Sequence, residues 1–143
     1  MALPKIIQIP EGDEGALQWH YKRVEVSSAE ILTLFSAPKE LVEAPGAGKM
    51  AAPIHAICKY HFVTTPYDNV NDDIQINTEG AATYLIIFNN MLSRVADWRG
   101  VRSIRQLDID QPENARIILT EDVDPTGGDS TLTVYLWYII LTL

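Results

Sequence analysis

The chain has 143 residues, 11 of them basic and 19 acidic, for a formal net charge of −8. That length suits a single domain with a two-layer core, and the charge sets the chain as a whole against nucleic acid and anionic membranes unless a local basic patch intervenes. Cys58 is the only cysteine, which excludes an internal disulfide and a cysteine metal cage.

Residues 1–16 contain no apolar stretch long enough for a signal peptide, and nothing approaches a membrane span, so synthesis in the cytoplasm is expected. Residues 1–16 read as an extended N-terminal arm of a domain covering 1–143, with a short strand candidate at Leu3–Ile9. Leu17–Val26 is rich in strand-forming residues, with Leu17, Trp19 and Tyr21 on one side and His20 and Lys22 on the other. Ser27 or Ser28 can cap a helical turn through Ala29–Phe35, with Glu30 near its positive end. After a short strand at Glu40–Glu43, the run Gly46-Ala47-Gly48-Lys49 imitates a phosphate loop. The imitation fails, because Glu43 stands where the first glycine belongs and Met50 where the magnesium-binding hydroxyl belongs. Pro45-Gly46-Ala47-Gly48 is instead a turn between two strands.

Met50–Phe62 alternates cleanly, with Met50, Ala52, Ile54, Ala56, Cys58, Tyr60 and Phe62 on a dry face and Ala51, Pro53, His55, Ile57, Lys59 and His61 on a wet one. Pro53 has no N–H for a ladder and marks an edge or a bulge. Cys58 is expected to be an inert core thiol. Shorter strands are expected at Ile74–Asn77, Tyr84–Phe88, Ile104–Ile109 and Ala115–Thr120, with a second helical turn at Asn90–Trp98 on the spacing of Leu92 and Val95. The turn Asp124-Pro125-Thr126-Gly127-Gly128-Asp129 precedes Ser130–Leu143, which carries no charge and is apolar on both parities. A row of exposed side chains such as Tyr135, Trp137, Ile139 and Leu141 invites association, so either a loop or helix of the same chain covers them or another subunit does. The subunit contact is the favoured expectation, because the chain offers few other elements to cover that face. Eight or nine strands separated by turns make an all-β antiparallel sandwich or barrel, with one or two short helical turns.

Catalytic constellations are scarce. His55 and His61 share a strand face but stand roughly 20 Å apart by the strand rise, too far for one metal. No Gly-x-Ser-x-Gly elbow is present. Asp68-Asn69-Val70-Asn71-Asp72-Asp73 offers oxygens, but a calcium loop in that register lacks its glycine and its final glutamate, and solvated turn carboxylates are the simpler reading. The acids Glu121, Asp122, Asp124 and Asp129 are read the same way. No enzyme, metal or cofactor is expected. Arg94, Arg99, Arg102 and Arg105, interrupted by Trp98, form the one basic concentration in an acidic chain. It suits docking onto an acidic protein surface, since arginine pairs carboxylates in bidentate fashion and tryptophan supplies contact area. Salt bridges to the chain's own surplus acids are the competing explanation.

The segment AEILTLFSAPKELVEAPGAGK, the Thr64–Tyr67 turn TTPY with its Asn-rich loop and the Ile74/Ile76 strand, and ENARIILTEDVDPTGGDSTLTVYLWYII together resemble small structural proteins of tailed bacteriophages. The resemblance covers about Val24 to Ile140. It implies a jelly-roll-like β-sandwich in the virion, most simply a capsid decoration or accessory protein docked as an oligomer on major capsid or tail proteins. A trimer is implied, because vertex, pseudo-threefold and fibre proteins commonly form one. A tail or head fibre or adaptor module is an alternative, as is a carbohydrate- or receptor-binding adhesion domain using Trp19, Tyr21, Trp98 or Tyr67. Neither nucleic acid nor membrane is expected as a partner.

Overall fold

Strands distributed between two antiparallel sheets organise the chain. The computed structural model describes residues 17–68, 73–81, 85–104 and 112–143. Its elements are β1 (Leu17–Val26), α1 (Ser28–Ile31), β2 (Lys39–Val42), β3 (Lys49–His61), β4 (Ile74–Thr78), β5 (Ile86–Phe88), β6 (Trp98–Ser103), β7 (Ile117–Thr120) and β8 (Thr131–Thr142). One sheet runs β1-β8-β3-β6 and the other β2-β7-β4-β5, and every pairing is antiparallel. Eight strands in this order form a jelly roll, as the resemblance implies. The Leu3–Ile9 candidate, the 1–16 arm, Tyr84 and all but the first residue of Ile104–Ile109 lie outside the described residues.

The two sheets close over one core. Leu132, Val134 and Leu136 of β8 and Ala56, Cys58 and Tyr60 of β3 meet Ile74 and Ile76 of β4, Phe88 of β5, and Ile117 and Leu119 of β7. Each fully buried aliphatic or aromatic side chain of this set stabilises the fold by roughly 1.5–3 kcal/mol. Burial also pushes the Cys58 thiol up and away from the reactive thiolate.

The helical turn begins where the sequence places it. The Ser27 hydroxyl accepts the Glu30 N–H at 3.2 Å while the Glu30 carboxylate accepts the Ser27 N–H at 2.9 Å, a reciprocal capping box. Ile31 and Leu34 then enter the core. The second expected helical turn does not form. Asn90 adopts φ 51°, which breaks a right-handed helix at its start, and Leu92 is buried while Val95 is 70% exposed, so the two share no face. Trp98 instead opens β6, a strand the sequence reading missed.

A bulge corrects the reading of β3. Its register against β8 shifts between Pro53 and His55, which exchanges the faces of the strand. Beyond the bulge His55, Ile57, Lys59 and His61 face outward, as expected. Before it Ala51 and Pro53 pair with Ile140 and Tyr138 on the core side, and Met50 and Ala52 join the outer parity of Leu141 and Ile139. Pro53 thus marks a bulge inside a central strand.

The turn at Gly46–Gly48 joins β2 of one sheet to β3 of the other. Gly46 and Gly48 take φ of 105° and 73°, positions that favour glycine. Their N–H groups are already filled: Asn114 Oδ1 accepts from Gly46 at 2.8 Å, and the Glu113 carboxylate accepts from Gly48. With both glycine amides taken by the Glu113 and Asn114 side chains, the loop does not have them to offer a phosphate.

Two turns far apart in sequence clasp each other ahead of β8. The Asp129 carboxylate accepts the Thr64 hydroxyl, the Thr65 N–H at 2.9 Å and the Thr64 N–H at 3.1 Å. Thr126 donates its N–H and its hydroxyl to the Asp68 carbonyl, both at 3.0 Å, and the buried Tyr67 hydroxyl donates to the Ser130 carbonyl. Asp124 binds the N–H groups of Phe35 and Ser36 at 2.9 and 3.1 Å. The Thr64 hydroxyl, then the Thr65 and Thr64 amides, hold the Asp129 carboxyl below its ordinary value. Ser36 and Phe35 do the same for Asp124. A carboxyl whose pKa is lower folded than unfolded stabilises the protein above its unfolded value, and that contribution disappears as the pH falls through the folded value. The unfolding midpoint is therefore expected to drop on acidification through the carboxylate range, and Asp129→Asn to flatten that drop. Urea titrations across the range measure both, and an unchanged pH slope in the variant would place the acid sensitivity elsewhere.

Candidate interaction face

The outer face of the β1-β8-β3-β6 sheet carries the residues of interest. Register fixes who stands beside whom: Trp19 opposite Ile139, Tyr21 opposite Trp137 and Arg23 opposite Tyr135 across β1 and β8. Across β8 and β3, Trp137 faces His55 and Tyr135 faces Ile57. Across β3 and β6, Ile57 faces Val101 and Lys59 faces Arg99.

The four residues Tyr135, Trp137, Ile139 and Leu141 do lie together on one face, but β8 is a central strand and its neighbours shield them. The Tyr21 and Trp137 rings lie 5.0 Å apart between centroids, and the His55 and Trp137 rings 5.4 Å apart. The Arg23 guanidinium sits 5.8 Å from the Tyr135 ring centroid. Tyr135, Trp137 and Leu141 are half-buried, and Ile139 is buried within the monomer. The exposed apolar surface has moved to the flanking strands, where Trp19 is 52%, Tyr21 53% and Val101 50% exposed. An uncharged last strand points to the sheet, but the most accessible members belong to its neighbours, whose alternation of Trp19, Tyr21, Arg23 and Glu25 is legible in β1.

Polar groups border this face. Arg23 is paired with Glu25 at 2.7 Å, and Lys39 with Glu30. Both pairs line an open cleft of about 700 Å³ together with His61 and Thr133. The His61 Nε2 lies 3.1 Å from the Thr133 hydroxyl, and the His55 Nδ1 lies 2.8 Å from that of Ser103. Both histidines are thus engaged with hydroxyl neighbours. No group of three or more His, Cys, Asp or Glu side chains suited to a metal occurs among the described residues.

The arginine cluster divides. Arg99 lies on the outer face opposite Lys59, while the Arg94 guanidinium stacks 4.4 Å from the Trp98 ring centroid and that of Arg102 lies 6.0 Å from the Phe88 ring centroid. Trp98 turns across Gly100, where an added Cβ would come within 2.2 Å of its ring, and meets Phe88 edge-on at 6.5 Å. Trp98 is therefore half-committed to the monomer, and Arg105 lies outside the described residues. Of the aromatic residues considered for adhesion, Tyr67 is buried at 2% exposure, leaving Trp19 and Tyr21.

No family model matches this chain, and no curated protein matches it. In the solved structures the chain is similar to a chain of the cyanophage Pam1 capsid asymmetric unit, with a TM-score of 0.46 and 11% sequence identity over 86% of this chain and 84% of that one.

Proposed function

We propose that the protein is a non-enzymatic virion structural protein of a tailed bacteriophage, a capsid decoration or accessory module whose copies associate through the outer face of the β1-β8-β3-β6 sheet. The observation that carries this reading is the contiguous aromatic and aliphatic face at Trp19, Tyr21, Trp137, Tyr135, Ile57 and Val101, with Trp19, Tyr21 and Val101 each about half exposed. Exposed apolar patches of this kind mark contact surfaces, and aromatic anchors dominate the energy of such contacts. The protein's work in this reading is adhesive: its copies join face to face or in a ring, trimeric by the phage resemblance, and the assembly binds a larger shell or tail.

Sedimentation at micromolar concentration is expected to give an oligomer, and mass spectrometry of virions from the encoding phage is expected to detect the chain. A strictly monomeric protein would overturn the association, and its absence from particles would overturn the location. A second reading, saccharide adhesion, is favoured by Trp19 and Tyr21 lying on the same face of β1 as Arg23 and Glu25, which with His61 line the polar cleft further along the strand. Binding on a glycan array that disappears with Trp19→Ala would replace the association reading with this one.

A further inference from the structure

Among the described residues the arginines are neutralised selectively. Arg23 has Glu25 at 2.7 Å, and Arg116 holds Glu79 with two nitrogens at 2.7 and 2.8 Å, with Glu40 at 3.6 Å. Arg94, Arg99 and Arg102 have no ion-pair partner among the described residues, although acids outnumber bases by 19 to 11 in the sequence. Lys59 makes the asymmetry sharper. It stands directly opposite Arg99 across β3 and β6, so two like charges occupy neighbouring positions on one face, an arrangement that costs stability when nothing lies between them. Asp97 shares their small cleft of about 300 Å³ but gives its carboxylate to the Phe62 N–H at 2.9 Å and pairs with neither cation. β6 is an edge strand, so this charge stands at the rim of the sheet, with Arg99 on one side of the strand and Arg94, Trp98 and Arg102 on the other.

We infer that the β6 edge, centred on Lys59 and Arg99 and extended by Arg94 and Arg102, docks a carboxylate-rich surface of a different protein. Charge complementarity selects carboxylates, which would lie between Lys59 and Arg99 and relieve their repulsion while meeting the guanidinium forks in bidentate fashion. A second copy is the poorer occupant, because many of this chain's acids are already engaged at home. Glu25, Glu30, Glu40 and Glu79 are in ion pairs, and Asp73, Asp97, Glu113, Asp124 and Asp129 accept backbone N–H groups. Nucleic acid is disfavoured by the overall charge of −8. Charged side chains also keep a sheet edge from pairing with another strand, but that role needs no opposed pair of like charges.

The inference does not require the copies to associate, and its test is separate. A short poly-glutamate peptide, followed at low salt by amide and arginine side-chain NMR shifts, is expected to perturb Lys59, Arg99, Val101 and the guanidinium groups of Arg94 and Arg102 while leaving Trp19 and Tyr21 unmoved. The double variant Lys59→Glu, Arg99→Glu is expected to weaken peptide binding by about tenfold or more. The single variant Lys59→Glu, which faces Arg99 with an opposite charge, is expected to fold with a raised thermal midpoint and to lose binding as well. Absence of peptide shifts would overturn the inference. Tighter binding of a poly-thymidine strand of matched charge would replace it with a nucleic-acid site, and shifts equal in wild type and double variant would place the acidic contact elsewhere.

Discussion

Serine at both Trp19 and Tyr21 is expected to turn an associating protein into a monomer whose own stability is nearly that of the wild-type subunit. Both side chains are about half exposed, so the monomer loses little: Tyr21 gives up its contact with Trp137, a change of about 1 kcal/mol. The association loses far more. Truncating a central aromatic anchor typically costs about 2 kcal/mol or more of binding, so the pair would weaken association by roughly a thousandfold if the two act independently. Sedimentation across a concentration series measures the loss, and concentration-dependent thermal melts separate it from unfolding. If the double variant associates as tightly as the wild type, the contact lies elsewhere, whatever the oligomeric state. Val101→Ser, at the far side of the same face, is the smaller companion change.

Gly128→Ala is expected to be the most damaging single methyl in the described part of the chain. Gly128 adopts φ 107°, and a Cβ there would stand 2.2 Å from the Tyr67 ring, with two further ring atoms at 2.6 Å. Tyr67 has no room to yield, since its ring is buried and its hydroxyl is tied to the Ser130 carbonyl. Backbone strain and overpacking each cost roughly 1–3 kcal/mol, so a combined loss of roughly 2–6 kcal/mol and a fall in melting temperature on the order of 10 °C are expected. Gly127→Ala supplies the comparison: its φ is 83°, but nothing lies within 4 Å of the added carbon. It should show the backbone share alone. Equal losses at the two positions would mean that Tyr67 moves aside and that the clasp is softer than its contacts imply.

Much of this architecture is legible in the chain because its turns are chemically explicit. The Gly46–Gly48 turn, the Thr64–Tyr67 turn and the Asp124–Asp129 turn all fall where glycine, proline and short acids cluster, and the strands between them follow. What eluded the sequence has specific causes. β3 alternates without interruption on paper, yet one extra residue at the Pro53–His55 bulge exchanges its faces, and periodicity cannot register an insertion that leaves the composition unchanged. β6 reads Trp98-Arg99-Gly100-Val101-Arg102-Ser103, too charged to resemble a core strand, because an edge strand needs no second dry neighbour. The arginines were visible as a cluster but not as divided. Lys59, thirty-five residues away from Arg94, could be assigned to that edge only once the strands were paired. The aromatic face followed the same rule: the uncharged β8 revealed that a face existed, and only the order β1-β8-β3-β6 revealed which strands leave it open.

That strand order also constrains how the molecule is born. β8 follows the other seven described strands in sequence, yet it lies between β1 and β3 and holds both through ten or more paired positions. Until residues 131–142 are available, β1 and β3 have no bridge between them, and each presents a bare ladder to any other chain nearby. Most of this sheet therefore forms late and from distant contacts, a slow route that leaves the growing chain exposed to aggregation. The turn clasp at Asp129, immediately before β8, is placed to hold the final strand in register as it is inserted. A polypeptide that stops short of β8 would be a different substance altogether, sticky where the finished one is ordered.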